Sequence, residues 1–411
     1  MNTKRIQFLI LWFIGAIVYL FSAKNTEFSY VGIIAPLSFC FLIIFALQAL
    51  SERFKTLFAY LLFFSTGILT LFGVIKPLTG SVSESPNILF FGFSFYTLSL
   101  AFFAKNAKKL NLLDCLKVSN PALLASGPVA IFVKDYRYRG FHNRLNYYIP
   151  FFIIGFFLFH IVGVPLLPLF KLINLTDAVS SLTFAIIFEL FMYANFCGIS
   201  LMLYGLFGII GYKIPLNFKQ PFSSSNIIEF WRGWHLSLSA VLKLLFYEPL
   251  RKNFPPTIAL LGVFLASGIW HGVTINFLIW GVFHAFVFLF TIYLLRRNIP
   301  FLPTFVLILS VIIGRLIFAE GDTDILIEKL LFSFKGFGVL TEITSLPPTT
   351  KASLLLGFGI IAVEFFFKNM PIVRKRNYKY LRTPFSLAVI LIITIILINS
   401  GGQNFAVYGQ R

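Results

Sequence analysis

Three of the five histidines in this 411-residue chain fall within residues 229–286: His235, His271 and His284. Two of them follow a tryptophan, at Trp234-His235 and Trp270-His271. An imidazole takes and gives a proton near neutral pH, so such a residue can serve as a general base or acid, for example in removing a proton from a hydroxyl. Trp270-His271 sits in an almost uncharged apolar run, GVFLASGIWHGVTINFLIWGVFHAF. A titratable group at membrane depth is costly, and it marks either chemistry or a hydrogen bond that ties helices together. Thr274 and Asn276 are close polar neighbours of His271 and candidates for supporting it. Trp231, His235 and Ser239 are spaced four apart, which on a helix puts each pair on one face. Arg232 beside them can hold an anion or a headgroup phosphate. Ser267 has no base that spacing alone would place against it, so covalent catalysis through serine is the weaker reading. His142, in a basic loop, reads as a solvated group, while His160 and His284 read as packing or hydrogen-bonding residues. Cys40, Cys115 and Cys197 are far apart and give neither a metal spacing nor a disulfide set.

Composition sets the elements that must hold these residues. The chain is 58% hydrophobic and 12% charged, with 54 phenylalanines and a mean hydropathy of +0.88. A soluble domain carries about 25% charged residues. Long apolar runs recur throughout, and a backbone crossing a bilayer must be helical or part of a closed barrel. Barrel strands alternate over about ten residues. These runs are continuous, so the fold class is all-α: a polytopic membrane helix bundle of about ten to twelve transmembrane or re-entrant helices, with short interfacial helices besides. The net charge of +19 comes in short basic clusters between spans. That pattern fits loops against an anionic cytoplasmic leaflet, with membrane lipids as partners and no nucleic acid.

In chain order, Lys4 and Arg5 precede an apolar run at 8–21, read as a retained first helix with a cytoplasmic N-terminus. Further spans are expected at 30–50 and 57–74, with a span or half-span at 88–104. Segment 111–140 is interrupted by Pro121 and Pro128, and reads equally as a re-entrant piece lining a cavity or as a lateral amphipathic helix. Clear spans follow at 147–170 and 182–210. The latter contains Glu189, which needs a partner in the bundle, and Gly198 and Gly205, which permit close helix packing. The loop after it bends at Pro215 and Pro221, and Ser223, Ser224 and Ser225 are candidate caps for a helix starting near Asn226. Lys243, Glu248, Arg251 and Lys252 keep that helix at an interface. Residues 257–266 then enter the membrane. Spans at 306–318, 354–367 (despite Glu364) and 385–398, a surface helix at 319–336 and a basic cytoplasmic loop at 373–382 complete the chain.

The motifs, taken in order, resemble those of the membrane-bound O-acyltransferase family, in particular its bacterial polysaccharide-modifying branch with alginate O-acetylases and teichoic-acid D-alanyl transferase. FWRGWHLSLS at Phe230 to Ser239 is similar to the family's Phe-Trp-Arg lead into tryptophan-histidine. Tyr247 to Leu250 matches Tyr-x-Pro-Leu, and Ser267 to Gly272 matches Ser-Gly-x-Trp-His-Gly, followed by Asn276 and Trp280-Gly281. Upstream, SFYTLS at Ser94 to Ser99, PALLASGP at Pro121 to Pro128 and GYKIPLNFKQPF at Gly211 to Phe222 resemble further family stretches. The chain departs from the pattern at Gly233, where a second arginine is usual, and at Asn195 and Leu201, where acids are usual. Arg251-Lys252 stands in place of Gly-Gly. A later Phe-Arg-Ala is reduced to Ile317-Phe318-Ala319, with Arg315 displaced.

The resemblance implies a single integral-membrane acyltransferase domain over 1–411, with a family-like core at 90–330 and peripheral helices at 1–80 and 350–400. It gives His271 the catalytic role and His235 an auxiliary or substrate-path role, supported by Trp231, Arg232, Trp234, Ser239, Trp270 and Asn276. It implies O-acyl transfer, chiefly acetylation, to an extracytoplasmic polysaccharide or cell-wall polymer. The donor substrate would be acetyl-CoA or another acyl thioester from the cytoplasm, with no permanently bound cofactor and no metal. An extracytoplasmic acetyltransferase or a cytoplasmic acyl carrier protein is a further implied partner. The implied location is the bacterial inner membrane, crossed several times. D-alanyl transfer, acylation of a lipid or protein, and transport without acyl chemistry remain the alternatives.

Overall fold

The computed structural model describes residues 51–72, 93–106, 140–166, 178–319 and 346–366, with isolated positions 10, 12–13, 16–17, 119–120, 134–135, 169 and 327. Apart from those positions, the spans expected at 8–21, 30–50 and 385–398, segment 111–140, the surface helix at 319–336 and the basic loop at 373–382 lie outside the described residues.

Apolar runs fold as helices, because inside lipid each backbone polar group must be satisfied within its own segment. They are α1 (Glu52–Leu71), α2 (Phe93–Asn106) and α3 (Phe141–Phe157), which continues through a π turn (Leu158–Gly163) and a 3-10 turn (Val164–Leu166). Then come α4 (Ala178–Ile210), α5 (Ile227–Gly233) and α6 (Leu236–Leu242), with a π turn (Lys243–Tyr247) and a helical turn (Glu248–Leu250). The described chain ends with α7 (Pro256–His271), α8 (Ile275–Arg296), α9 (Leu302–Ala319) and α10 (Pro348–Phe366). Among the described residues the only strands are two-residue segments, β1 (Lys134–Asp135) and β2 (Tyr212–Lys213), paired antiparallel. The fold class is therefore all-α.

Among the described residues, six helices are long and apolar enough to cross a membrane: α1, α3 with its continuation, α4, α8, α9 and α10. Helix α7 has 16 residues; at about 24 Å it is shorter than a hydrocarbon core of about 30 Å. Helix α4 is apolar all round and 78% of its apolar window is buried, against 28% for α1 and α10. It is the central post, and α1 and α10 present most of their surface outward. Glycine lets α3 approach α4 backbone to backbone. A Cβ added at Gly155 would stand 2.5 Å from the Gly198 carbonyl oxygen, and one at Gly205 would stand 2.8 Å from the Phe152 nitrogen. This is the small-residue packing expected of Gly198 and Gly205. The partner that Glu189 needs is Arg315 of α9, in a buried ion pair.

Two apolar clusters make the interior. The larger runs through α3, α4, the loop and α5 over 212–234, α8, α9 and Leu354 of α10, and the smaller joins α1, α2, α6 and α7. Trp234 belongs to the first and Trp270 to the second. The two tryptophan-histidine pairs therefore meet on the seam between the clusters.

Candidate active site

The first pair is set by a backbone clamp. Loop 212–222 folds back over the end of α5: the Lys219 N–H donates to the Gly233 carbonyl (2.8 Å), and the Leu236 N–H donates to the Asn217 carbonyl (2.9 Å). Buried Asn217 also accepts at Oδ1 from the N–H (3.0 Å) and hydroxyl (2.9 Å) of Ser237. A Cβ at Gly233 would lie 2.9 Å from the Lys219 carbonyl oxygen, so the loop's approach excludes the larger residue usual in the resembled motif.

Two expectations are corrected here. The cap of α5 is Asn226, not Ser223, Ser224 or Ser225. Asn226 Oδ1 accepts from the Glu229 N–H (3.0 Å), while Glu229 Oε2 accepts from the N–H and hydroxyl of Ser225, both at 2.9 Å. This reciprocal arrangement satisfies donors that a lone serine cap would leave open. Nor is the stretch one helix. Trp234 is extended and His235 is left-handed (φ 45°, ψ 57°), so α5 ends before His235 and α6 starts after it. A left-handed non-glycine residue costs about 1–3 kcal/mol and persists only where its surroundings hold it. Here the Asn217 clamp holds it, and the His235 Nδ1 accepts from the Leu238 N–H (3.4 Å), capping α6. Trp231, His235 and Ser239 therefore do not share a helical face.

They share a cavity instead. His271, His235, Trp231, Arg232, Trp234, Ser239 and Trp270 all line one cavity of about 310 Å³. Asn276 does not line it; this buried residue donates through Nδ2 to the Ile317 carbonyl (3.3 Å). The Trp270 ring stands 4.7 Å from the His271 ring and 6.3 Å from the His235 ring, centre to centre, so one indole contacts both imidazoles. Phe318 (4.8 Å) and Phe277 (5.8 Å) complete a ring of aromatics around His271. Among the described residues, His271 Nδ1 and His235 Nε2 have no hydrogen-bond partner. His235 lies outside the spanning segments, and burial pushes its imidazole down to about 3. Its neutral ring accepts at Nδ1 and so carries its proton on Nε2.

Sequence reasoning anticipated Arg232 but missed Arg315 as a second positive group lining the cavity. Arg315 lines it while buried and paired with Glu189, its guanidinium 4.9 Å over Trp234 and 5.6 Å from Phe318. The available signal was Glu189's need for a cation. Lys243 and Arg232 also line the cavity and are exposed. His284 is outside the lining and packs against Trp280 (4.6 Å) and Trp231 (5.1 Å). His160 sits in the α3 π turn between Phe156 (4.3 Å) and Phe159 (4.9 Å), and exposed His142 bonds with Asn146.

A helix bundle that brings a buried histidine at the α5–α6 break and a half-buried histidine at the end of α7 around one cationic, aromatic cavity defines a membrane protein with a built internal site. The chain belongs to the membrane-bound O-acyltransferase family, whose model matches residues 28–318. It is 34% identical over 184 residues to the probable alginate O-acetylase of Azotobacter vinelandii, covering 42% of this chain and 37% of that protein. It is 39% identical over 97 residues to the peptidoglycan O-acetyltransferase of Helicobacter pylori (23% and 18%). To the teichoic acid D-alanyltransferase of Bacillus subtilis it is 27% identical over 164 residues (37% and 40%). The chain thus spans less than half the length of these relatives. Its spans and its bacterial relatives make it a multi-pass protein of the inner membrane.

Proposed function

We propose that this protein is an O-acyltransferase that moves a small acyl group, acetyl first of all, from a cytoplasmic thioester to a hydroxyl of an extracytoplasmic polysaccharide or cell-wall polymer. The observation that carries the reading is that both tryptophan-histidine motifs line one cavity, in a chain of this family. The relatives named for alginate, peptidoglycan and teichoic acid support a polymer acceptor.

The division of labour follows from the two rings. His271 takes the proton of the acceptor hydroxyl as its oxygen attacks the thioester carbonyl. A C–O bond forms, the C–S bond breaks, and the imidazolium returns the proton to the departing thiolate. His235 has its Nδ1 engaged by the Leu238 N–H, so its Nε2–H is the donor available to the carbonyl oxygen as negative charge gathers there. Trp270, Trp231 and Trp234 wall off the rings, and exposed Arg232 and Lys243 suit an anionic donor such as acetyl-CoA. Asn276 supports the site at one remove, by tying α8 to α9.

Thioester consumption by purified protein tests this, with acetyl-CoA or a D-alanyl carrier thioester, and with or without isolated envelope polymer. The expected result is polymer-dependent thiol release from acetyl-CoA that His271→Ala abolishes. Turnover of the D-alanyl thioester alone would change the acyl group. Solute movement without thioester consumption would replace the enzyme with a transporter.

A further inference from the structure

A second cavity, of about 430 Å³, opens beside a different face of α4. Met192 and Phe196 line the first cavity, whereas Tyr193, Cys197 and Leu201 line the second. Leu355 and Val363 of α10 line it while being 74% and 45% exposed. Because α10 lies at the outer surface of the bundle, the mouth faces lipid. The lining is apolar apart from a small polar group: Glu364, Tyr193, Cys197 and Gln220.

Glu364 is only 2% exposed. Its Oε1 accepts from the Tyr193 hydroxyl. The Phe222 backbone amide also faces this carboxyl group, yet Oε2 has no hydrogen-bond partner among the described residues, and neither has Gln220 Nε2. An acid placed in a membrane span with one oxygen left without a partner among the described residues is expensive, and it points to a ligand. An ionised Glu364 needs a donor at Oε2, a protonated one needs an acceptor, and Gln220 Nε2 needs an acceptor in either case. An ammonium head only donates, a carboxylate only accepts, and an ether only accepts. A hydroxyl meets both groups in either state.

We propose that this cavity binds a membrane-resident long-chain alcohol, with its hydroxyl between Glu364 and Gln220 and its chain leaving along Leu355 and Val363 into the bilayer. The site stands whether or not the first cavity transfers an acyl group.

Gly359 supplies a clean block. It lines the cavity, and a Cβ there would meet nothing within 4 Å, whereas one at neighbouring Gly357 would strike Leu190 at 2.5 Å. Gly359→Phe therefore adds a ring at the cavity wall from a position where its Cβ strikes no neighbour, and is expected to obstruct the cavity.

The test uses the full-length protein in phosphatidylcholine nanodiscs and a hexadecanol carrying a mid-chain photoactivatable diazirine. Matched probes carry a methyl ether or a primary ammonium in place of the hydroxyl, and labelled peptides are mapped by mass spectrometry. The alcohol should label peptides containing 154–158 or 355–363 about tenfold more than the ether or the ammonium, the order expected from buried hydrogen bonds. Unlabelled 1-hexadecanol should compete. Gly359→Phe should remove the labelling, and Glu364→Leu should reduce alcohol labelling to the level of the ether. Equal labelling by alcohol and ether, stronger labelling by the ammonium, labels mapping elsewhere, or labelling unchanged in Gly359→Phe would each overturn the proposal.

Discussion

Gly268→Ala should cost turnover without touching either imidazole. Gly268 lies within α7, one turn before His271, and faces α8. A Cβ added there would stand 2.3 Å from the Phe277 carbonyl oxygen, with ordinary contact starting at 3.4 Å. The oxygen is backbone and cannot swing aside, so α7 and α8 must part by about 1 Å, a displacement that at a reacting group costs on the order of 10²-fold in rate. The same overpacking should cost about 1–3 kcal/mol of stability. The assay is single-turnover acyl transfer at matched membrane abundance, alongside a thermal melt. Gly359→Ala, at a helical glycine whose added Cβ meets nothing within 4 Å, is the control; it should leave the rate unchanged and raise Tm slightly, since alanine favours the helix by about 0.5–1 kcal/mol. Gly268→Ala protein that is abundant and transfers at the wild-type rate would refute the claim that α7–α8 contact sets the position of His271.

Arg315→Leu strands the buried Glu189 carboxylate and should cost about 3–5 kcal/mol by thermal melt, while the double variant with Glu189→Leu should recover much of it. A single-variant loss no larger than at a surface site would argue against the ion pair. Burial lowers the His235 imidazole from 6.5 to about 3, so the unfolded chain binds that proton first. The stability carried by neutral His235 is complete above pH 6.5 and lost as pH falls toward 3. His235→Asn keeps a capping acceptor and should flatten this part of the melt-versus-pH curve; an unchanged slope would contradict it. Asn226→Ala removes the α5 cap and should lower stability by about 1 kcal/mol, again read by melting.

Much of the bundle was legible because hydropathy and span length obey one simple solvent rule, and the spans around α3, α4, α9 and α10 fall close to where the apolar runs lie. The break at Trp234-His235 was not. The spacing of Trp231, His235 and Ser239 satisfies helical periodicity, while the signal that overrides it is a clamp from Asn217, a loop residue on another segment. Glu189's need of a partner was readable from its type, but the identity of Arg315 was not, since pairing across the fold leaves no local trace. That the two tryptophan-histidine pairs belong together was visible only through the resembled motifs; their shared cavity follows from where α5, α6 and α7 end. Glu364 looked like an impurity in a span, and only its geometry gives it a setting.

The most direct test of the central claim is mass spectrometry of native envelope polymers from matched wild-type and His271→Ala cells with equal amounts of the protein in the membrane. Acyl transfer by His271 predicts that an acetyl mass on a polymer hydroxyl disappears in the variant and returns with the wild-type gene. An unchanged acetyl pattern in His271→Ala cells would contradict it.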